Sequence, residues 1–281
     1  MSLEDRIEEL AAEADVSTIR KSAREAVVAL LDELEFGRVR SAMRDADGTW
    51  RAVPWVKRGI LLGFRVGEIE DMSLQTSRIH FPFFDKDVFP LQEFEKDNGV
   101  RLVPGGSAVR RGAYLSPGVV CMPPMYVNVG AYVGAGTMID SHALVGSCAQ
   151  IGERVHLSAA AQIGGVLEPI NASPVVIEDD VLVGGNCGVY EGTVVRRKSV
   201  LAAGVVLTRG TPVFDLERER VIRGGPEAPL EIPEGAVVVP GARAVKSDWG
   251  LQHGLSMQTP VIVKYRDEKT DVATALEAWL R

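Results

Sequence analysis

The sequence predicts a mainly β protein: a left-handed parallel β-helix of six-residue repeats, with a helical N-terminal α/β domain and a small C-terminal β cap ending in a helix. An aliphatic residue recurs at every sixth position over most of 127–207. A small residue mostly stands four places after each aliphatic one. The aliphatic positions are Val127, Val133, Ile139, Val145, Ile151, Leu157 and Ile163 in one run, and Ile177, Val183, Val189, Val195, Leu201 and Leu207 in another.

The period of six fits a triangular prism whose sides are short strands. Side chains alternate between the two faces of a strand, so a short side that also turns a corner points one aliphatic residue inward. Three sides make one coil, and stacked coils bury a continuous ladder of equivalent residues. An α-helix does not fit, because six is not a multiple of its turn of about 3.6 residues. Glycines that directly follow aliphatic residues, such as Gly134, Gly146 and Gly152, are expected to supply backbone conformations that other residues reach only with strain.

The repeat is interrupted between Ile163 and Ile177. Their spacing is two residues more than a pair of repeats, so 164–174 is predicted to bulge out as a loop, where binding groups usually lie. Residues 208–225 predict a hairpin of two short strands that caps the open end of the helix. Two further strands and a final helix at 271–281 follow it.

The chain before the repeats has a different character. Segments 2–14 and 17–37 show helical spacing, and Gly37 stands just past the second helix. Asp47 and Gly48 predict the turn of a hairpin, and Pro54 the first position of a third helix. Residues 77–98 indicate only a loop and a short helix. We therefore expect a helical domain at 1–105, the β-helix at 106–210, and the hairpin, strands and helix at 211–281.

Composition excludes several classes of partner. The 281-residue chain has a formal charge of −7, so it lacks the basic balance of a nucleic-acid-binding protein. It contains no apolar run of membrane-spanning length, and its first residues are too charged for a secretion signal. Cys121, Cys148 and Cys187 form no paired framework, which favours buried reduced thiols and a cytoplasmic protein.

Several strings together carry a family resemblance. GTMIDSHALVGSCAQIG and IGGVLEP lie within the repeats, and the DG-x-W turn and W-x-K-R helix lie within 30–66. FFDKD and VRLVP continue the match towards the repeats. With these motifs the chain closely resembles the tetrahydrodipicolinate N-succinyltransferases of bacterial lysine biosynthesis over nearly its whole length.

The resemblance implies a reaction and an assembly. A succinyl group would move from succinyl-CoA, the co-substrate, to the amino group of L-2-amino-6-oxopimelate, the opened form of tetrahydrodipicolinate. The amine would attack the thioester directly, without a covalent enzyme intermediate and without a metal or prosthetic group. The family forms a homotrimer with sites between neighbouring prisms.

Asp140 and Arg101 are the first candidates for the site. The acceptor amine arrives mostly as an ammonium and must lose a proton, so a base is needed within hydrogen-bond reach. Asp140 directly follows the inward Ile139 and should therefore point out of the prism, where the family places a functional aspartate. Arg101 matches the family's arginine for the dicarboxylate acceptor, and a guanidinium suits a carboxylate. Apart from the family resemblance, the alternative for Asp140 is a solvated turn aspartate, and the alternative for Arg101 is a surface salt bridge.

A second catalytic carboxylate is predicted at Glu191. The family often carries the string S-E-V-V-E-G, and in this chain Gly188 stands where the first glutamate would fall. Glu191 occupies the second position, one side of the prism further along than the amine requires.

The acyl donor should lie along the prism wall in the groove between subunits. Gly164 and Gly165 would allow its close approach, or that of the acceptor. Lys246 and Lys264 could meet the CoA phosphates, although solvated lysines explain them equally well. His142 and His156 do not occupy equivalent repeat positions, so a three-histidine zinc site is not expected.

Two alternatives remain open at the level of the sequence. One is the acetyl-CoA version of the same reaction, or another small-molecule acyl transfer, because one sequence does not show what faces the terminal carboxylate of succinate. The other is a non-enzymatic trimeric scaffold, for which the repeat alone would suffice.

Overall fold

The computed structural model describes residues 1–75, 80–225 and 228–267. These residues form an N-terminal helical unit, a prism of short parallel strands, and a set of longer strands at the far end of the prism. The final helix predicted at 271–281 lies outside the described residues.

The N-terminal unit contains helices α1 (Leu3–Ala12), α2 (Val16–Glu35) and α3 (Pro54–Val66), with strands β1 (Ala42–Arg44) and β2 (Trp50–Ala52) before α3. A reciprocal capping box between Ser2 and Asp5 starts α1. Gly37 follows the end of α2 with φ +67°, and Gly48 turns the β1–β2 hairpin with φ +86°, both as predicted. The three helices enclose a second core, which also includes Val129 and Cys148 of the prism.

The stretch after α3 holds strands that the sequence did not indicate. They are β3 (Ile69–Asp71), β4 (Leu74–Gln75), β5 (His80–Phe81) and β6 (Phe84–Lys86), and a 3₁₀ helix follows at Lys96–Asn98. β3 pairs with β6 and β4 with β5, both antiparallel. Side chains are exposed along most of these strands, so the alternation of buried and exposed residues that reveals a strand is missing.

The prism is a left-handed parallel β-helix, as the repeat predicted. Each of its strands contains two residues. In β8–β23 the second of these residues points into the core. In chain order they are β7 (Arg101–Leu102), β8 (Ala108–Val109), β9 (Tyr114–Leu115), β10 (Val120–Cys121), β11 (Tyr126–Val127), β12 (Tyr132–Val133), β13 (Met138–Ile139), β14 (Leu144–Val145), β15 (Gln150–Ile151), β16 (His156–Leu157), β17 (Gln162–Ile163), β18 (Val176–Ile177), β19 (Leu182–Val183), β20 (Gly188–Val189), β21 (Val194–Val195), β22 (Val200–Leu201) and β23 (Val206–Leu207).

Every third strand belongs to the same face. The first face contains β7, β10, β13, β16, β19 and β22, and the second contains β8, β11, β14, β17, β20 and β23. The third contains β9, β12, β15, β18 and β21. Strand pairing extends beyond the predicted span of 106–210 at both ends, and the domain boundaries themselves stay a prediction.

The strands after the prism close its far end. They are β24 (Val213–Asp215), β25 (Arg220–Ile222), β26 (Glu231–Ile232), β27 (Ala236–Ala244) and β28 (Ser256–Tyr265), with helix α4 (Asp248–Gln252) before β28. β24 and β25 form the expected hairpin, and β24 also pairs with β28. β26 continues the third face, while β27 continues the first face and forms a long hairpin with β28.

Residues 164–174 bulge out between β17 and β18, as the interrupted repeat predicted. Ile139 pairs with Leu157, eighteen residues further on, whereas Ile151 pairs with Ile177, twenty-six residues further on. The interruption therefore adds eight residues to one coil. We call 164–174 the insertion loop.

The glycines directly after the aliphatic positions allow close packing between coils, and they do not adopt the left-handed backbone conformation. A Cβ on Gly134 would lie 2.5 Å from the carbonyl carbon of Gly152 in the next coil, closer than any side chain permits. The left-handed residues instead come two places later, at Gly136 and at non-glycine residues such as His142 and Arg154. The expectation for these glycines was wrong because stacked coils approach each other most closely directly after the strand.

Candidate functional site

Asp140 lies on the corner between the first and second faces, pointing out of the prism. Its backbone N–H donates to the carbonyl of Leu157 in the next coil at 2.9 Å, which fixes its place on the wall. Oδ1 accepts the Ser141 N–H at 2.7 Å, and the side chain is 31% exposed. A partly solvated carboxylate held in this way can reach a ligand in a groove along the prism.

His156 lies beside Asp140. It stands one coil further on the first face, opposite Met138, with its Nε2 3.9 Å from Asp140 Oδ2. His142 occupies the turn between the first and second faces instead, with φ +63°. The two histidines therefore hold different places in their coils, as the sequence indicated.

Arg101 lies on the same face as Asp140 but nearer the start of the prism. It pairs with Val120, and Val120 pairs with Met138, so two coils separate Arg101 from Met138. At a strand spacing of about 4.8 Å, this places Arg101 roughly 10 Å away along the prism axis. Arg101 is exposed, so the two residues could meet opposite ends of one extended ligand.

Glu191 is on a different corner from Asp140. It follows β20 at the turn between the second and third faces, whereas Asp140 follows β13 before the second face begins. Its Oε2 accepts the backbone N–H of Arg209, one coil further, at 3.1 Å. Within one chain, therefore, the structure does not bring the two predicted catalytic carboxylates together.

The predicted acyl-donor glycines are packed against the protein itself. A Cβ on Gly164 would lie 2.8 Å from Cδ1 of Tyr190, and one on Gly165 would lie 2.6 Å from the backbone nitrogen of Ser147. Both glycines thus allow the insertion loop to lie close to the prism.

Lys246 and Lys264 are far apart on the β27–β28 hairpin. Lys264 pairs with Val237 near the prism and contacts Asp267 at 3.2 Å, whereas Lys246 follows the distal end of β27. The strand between the two ends spans about 23 Å at roughly 3.3 Å per residue. The two lysines therefore could not contact the same phosphate.

Two cavities meet beneath the insertion loop. The first, the loop cavity, has a volume of about 590 Å³ and lies between the loop and Tyr190, Thr208 and Arg209. The second, the domain cavity, has a volume of about 510 Å³ and lies between the loop and the β2 region. Both share Pro169, Ala172, Glu191 and Arg209.

Lys57 and Trp50 hold the insertion loop in place, and the residue-by-residue reading of the sequence missed both roles. Lys57 is fully buried on α3, and its Nζ donates to the carbonyl of Ala172 in the loop. Burial lowers the pKa of this ammonium below its usual range. The Trp50 carbonyl accepts the Ser173 hydroxyl at 3.2 Å, and Trp50 Nε1 donates to Glu178 at 2.9 Å. In the sequence, the sign that Lys57 is buried was its position between Val56 and Ile60, on the apolar stripe of the helix.

The three cysteines are buried and unpaired, as expected. Burial raises the pKa of the Cys121 thiol to about 12 and that of Cys148 to about 11. Neither is therefore a thiolate nucleophile near neutral pH.

Comparison with known proteins places the chain in a family. A model of the tetrahydrodipicolinate N-succinyltransferase N-terminal domain matches residues 2–66, and one of the hexapeptide repeat of succinyl-transferase matches residues 174–209. A 2,3,4,5-tetrahydropyridine-2,6-dicarboxylate N-succinyltransferase of Nitrobacter hamburgensis is 42% identical over 275 residues, covering 96% of this chain and 94% of the relative. The chain belongs to the tetrahydrodipicolinate N-succinyltransferase family. The resemblance seen in the motifs is thereby confirmed.

Other members of the tetrahydrodipicolinate N-succinyltransferase family are similar to the same extent. A relative with the same name from Bradyrhizobium diazoefficiens is 42% identical over 271 residues, covering 95% of this chain and 93% of its own. One from Chelativorans is 41% identical over 268 residues, covering 93% and 90%.

Two searches of the described residues found nothing. Residues 1–75, 80–225 and 228–267 contain no group of three or more His, Cys, Asp or Glu side chains placed to hold a metal ion. Over the same residues, no helix has both the length and the apolar character needed to cross a membrane.

Proposed function

We infer that this chain transfers a succinyl group from succinyl-CoA to the amino group of L-2-amino-6-oxopimelate, the opened form of tetrahydrodipicolinate. The observation that carries the conclusion is 42% identity to an N-succinyltransferase over 96% of the chain. The reaction belongs to diaminopimelate and lysine biosynthesis.

Asp140 is the group that receives or orients the amine. The nitrogen lone pair forms the new C–N bond to the thioester carbon, the C–S bond breaks, and the amine proton passes to a base while CoA leaves as its thiol. The position of Asp140 supports this role, because its carboxylate is partly exposed, with Oδ1 accepting the Ser141 N–H and Oδ2 3.9 Å from Nε2 of His156. Direct attack on a thioester needs only a base and hydrogen-bond donors for the oxyanion, so we assign no metal or prosthetic group.

The site is completed between subunits of a homotrimer. Asp140 and Glu191 lie on different corners of one prism, so a single groove contains both only if neighbouring copies contribute one each. Exposed apolar side chains on β3–β6 support association, with Ile69, Leu74 and Phe84 each more than 60% exposed. Arg101 would hold one carboxylate of the acceptor.

The acyl donor occupies the prism wall beside Gly164 and Gly165. Lys264 or Lys246 would meet its phosphates, but not both at once. The unpaired cysteines and the biosynthetic reaction support our proposal that the enzyme works in the cytoplasm.

The test is acceptor-dependent release of CoA thiol by purified protein, with succinyl-CoA and acetyl-CoA compared at equal concentration. We expect release only with tetrahydrodipicolinate present and a strong preference for succinyl-CoA. A preference for acetyl-CoA would move the activity to acetyl transfer, and no release from either donor would contradict acyl transfer to this acceptor. Light scattering of the same sample measures the trimer: a monomeric, fully active enzyme would contradict the shared site.

A further inference from the structure

Another cavity lies between the β1–β2 hairpin and the prism, and we call it the hairpin pocket. Its volume of about 240 Å³ corresponds to roughly eight water molecules in the liquid. The prism contributes its third face and the corner that leads from the third face to the first, while the hairpin contributes Arg44 and Trp50. Asp140 and Glu191 lie on the other two corners, so within one chain the hairpin pocket is separate from both predicted catalytic carboxylates.

Arg40, just before the hairpin, is held in a fixed orientation at the wall of this pocket. Its Cζ lies 3.7 Å from the ring centroid of Tyr132 and 5.6 Å from that of Trp50, and its Nε donates to Oε1 of Gln150 at 2.9 Å. Gln150 is buried, and its Nε2 donates to the Ser41 hydroxyl at 2.9 Å, which turns Oε1 towards Arg40. The Nη1 and Nη2 donors of Arg40 make no hydrogen bond within the described part of the chain.

The charged side chains that line the hairpin pocket have ionic partners, with two exceptions. The ion pairs are Arg44 with Glu178 at 3.7 Å, Arg197 with Glu234 at 3.3 Å, and Glu153 with Arg154 at 2.7 Å. Arg40 and Asp179 also line the pocket, but neither forms an ion pair with a residue that the structure describes. Asp179 Oδ1 accepts the Glu153 N–H at 2.8 Å, which fixes the carboxylate in place. One cation and one anion are therefore left for a ligand.

Arg40 and Asp179 attract each other without an ion-pair contact. Burial lowers the pKa of the Arg40 guanidinium below its usual range, and the negative charge of Asp179 offsets this only in part. Charges that are removed from water are normally stabilised by a partner of opposite sign at hydrogen-bond distance. A ligand with both a carboxylate and an ammonium supplies such a partner to each residue.

We propose that the hairpin pocket binds a free α-amino acid with a small uncharged side chain, its carboxylate on Arg40 and its ammonium on Asp179. The small volume of the pocket limits the size of the side chain. The other charges on the wall already pair with one another, so none is left to recognise a charged side chain.

Trp50 connects the hairpin pocket with the insertion loop. It lines both this pocket and the domain cavity, and its carbonyl accepts the Ser173 hydroxyl at 3.2 Å. An amino acid packed between the hairpin and the third face holds Trp50 in place, and through it the loop. The ligand is therefore an effector that stabilises the insertion loop, and not a substrate.

Calorimetry of the full chain with L-alanine tests the site, with propionate and ethylamine as matched ligands. Propionate lacks the ammonium and ethylamine lacks the carboxylate. We expect saturable binding of L-alanine and binding of each analogue that is weaker by about tenfold or more, because each loses one charged hydrogen bond. Equal binding of propionate and L-alanine would overturn the proposal, as would the absence of saturable L-alanine binding.

Variants locate the bound amino acid. Arg40→Gln and Asp179→Asn should each weaken L-alanine binding by about tenfold or more. Asparagine keeps an acceptor for the Glu153 N–H, so Asp179→Asn tests the site even if Arg40→Gln does not fold. Lys198→Gln is the matched control, because Lys198 is an exposed cation on the same corner that does not line the pocket.

Asp140→Asn distinguishes the hairpin pocket from the predicted acceptor groove. We expect this variant and Lys198→Gln to bind L-alanine as the wild type does. Binding that is weakened in Asp140→Asn but normal in Arg40→Gln and Asp179→Asn would place the amino acid in the groove and overturn the proposal.

Limited proteolysis within 164–174 tests the effector role. Saturating L-alanine should slow cleavage of the wild type, and the same concentration should have little effect on Asp179→Asn. Unchanged cleavage of wild-type protein with L-alanine bound would show that the pocket does not act on the insertion loop, and the effector role would be wrong.

Discussion

The core of the prism and the contacts that hold its insertion loop to the N-terminal unit depend on different interactions. In the prism, Ile139, Leu157 and Val183 stack on one face and are entirely buried among apolar neighbours. We call these loop contacts the seam: the contacts of Trp50 and Lys57 with residues 172–178, which lie beside the apolar packing of the helices on Val129 and Cys148. It consists mainly of hydrogen bonds from polar side chains, and its partners are more than a hundred residues apart in sequence.

The difference shows where the fold ends and the site begins. Each coil of the prism contacts only its neighbours, so its stability is close to a sum of similar units. The seam instead fixes a single loop at the place where the repeat is interrupted, and this loop forms a wall of both cavities. Changes in the ladder should therefore alter stability, whereas changes at the corners should alter turnover.

The largest expected effect is on turnover, from Asp140→Asn. The variant keeps the shape of the side chain but removes the base, so we expect turnover to fall on the order of a hundredfold or more. Its thermal midpoint and its mass in light scattering should match the wild type. Asp97→Asn, on the exposed 3₁₀ helix, is the matched control and should retain full activity. Near-normal turnover in Asp140→Asn would remove Asp140 from the mechanism.

The second effect is on stability, from Leu157→Ala in the ladder. The substitution leaves a cavity in a fully buried row, and such changes cost about 2–5 kcal/mol. Chemical denaturation at fixed protein concentration measures the loss. Val206→Ala removes an outward side chain that is 37% exposed and should cost far less. Equal losses in the two variants would contradict the apolar ladder as the source of stability.

The third effect is local, from Lys57→Met at the seam. Methionine keeps an apolar stem of similar length, but the carbonyl of Ala172 loses its donor. A lost buried hydrogen bond costs about 1–3 kcal/mol, which corresponds to an open population roughly 5- to 150-fold larger. Limited proteolysis within 164–174 measures that population. Cleavage at the wild-type rate would show that Lys57 does not hold the loop.

The smallest effect depends on pH and comes from Glu178, which is 7% exposed. Burial acts to raise the pKa of this carboxyl, but hydrogen bonds from Trp50, the Arg197 N–H and Arg196 outweigh it and leave the pKa lowered. A lowered carboxyl pKa adds stability above its unfolded value near 4.5, and that stability is lost as pH falls through the folded pKa.

Glu178→Gln removes the charge and replaces one of the two acceptor oxygens with an amide NH2. We expect it to be less stable than the wild type by about 1 kcal/mol at neutral pH, with the difference vanishing in acid. Fluorescence during denaturation at several pH values follows the seam when Trp55, Trp249 and Trp279 are replaced by Phe, so that Trp50 is the remaining fluorophore. A difference that is the same at every pH would assign the effect to packing.

The fold was predictable because every coil repeats the same sequence pattern, with an inward aliphatic residue at every sixth position. Val127, Val133 and Ile139 occupy equivalent inward positions. As predicted, Gly37 follows the end of α2, Gly48 lies in the turn of the β1–β2 hairpin, and Pro54 begins α3. The exposed strands β3–β6 were missed because their side chains do not alternate between core and solvent.

The site was less predictable because it depends on distant residues. The resemblance supplied Asp140 and Arg101 by position in a motif. No local pattern shows that Lys57 reaches Ala172, or that the ring of Tyr190 lies over Gly188. The face that follows the insertion loop was also not predictable, because spacing along the chain does not show which face Ile177 joins.

Paired measurement of turnover and unfolding free energy in Asp140→Asn and Leu157→Ala tests the separation of fold and site most directly. We predict a crossover: Asp140→Asn loses most turnover at wild-type stability, while Leu157→Ala loses stability and keeps most of its turnover at a temperature where it remains folded. If Asp140→Asn instead loses stability and turnover together, or Leu157→Ala loses turnover while fully folded, the ladder and the corner are not separate and the account is contradicted.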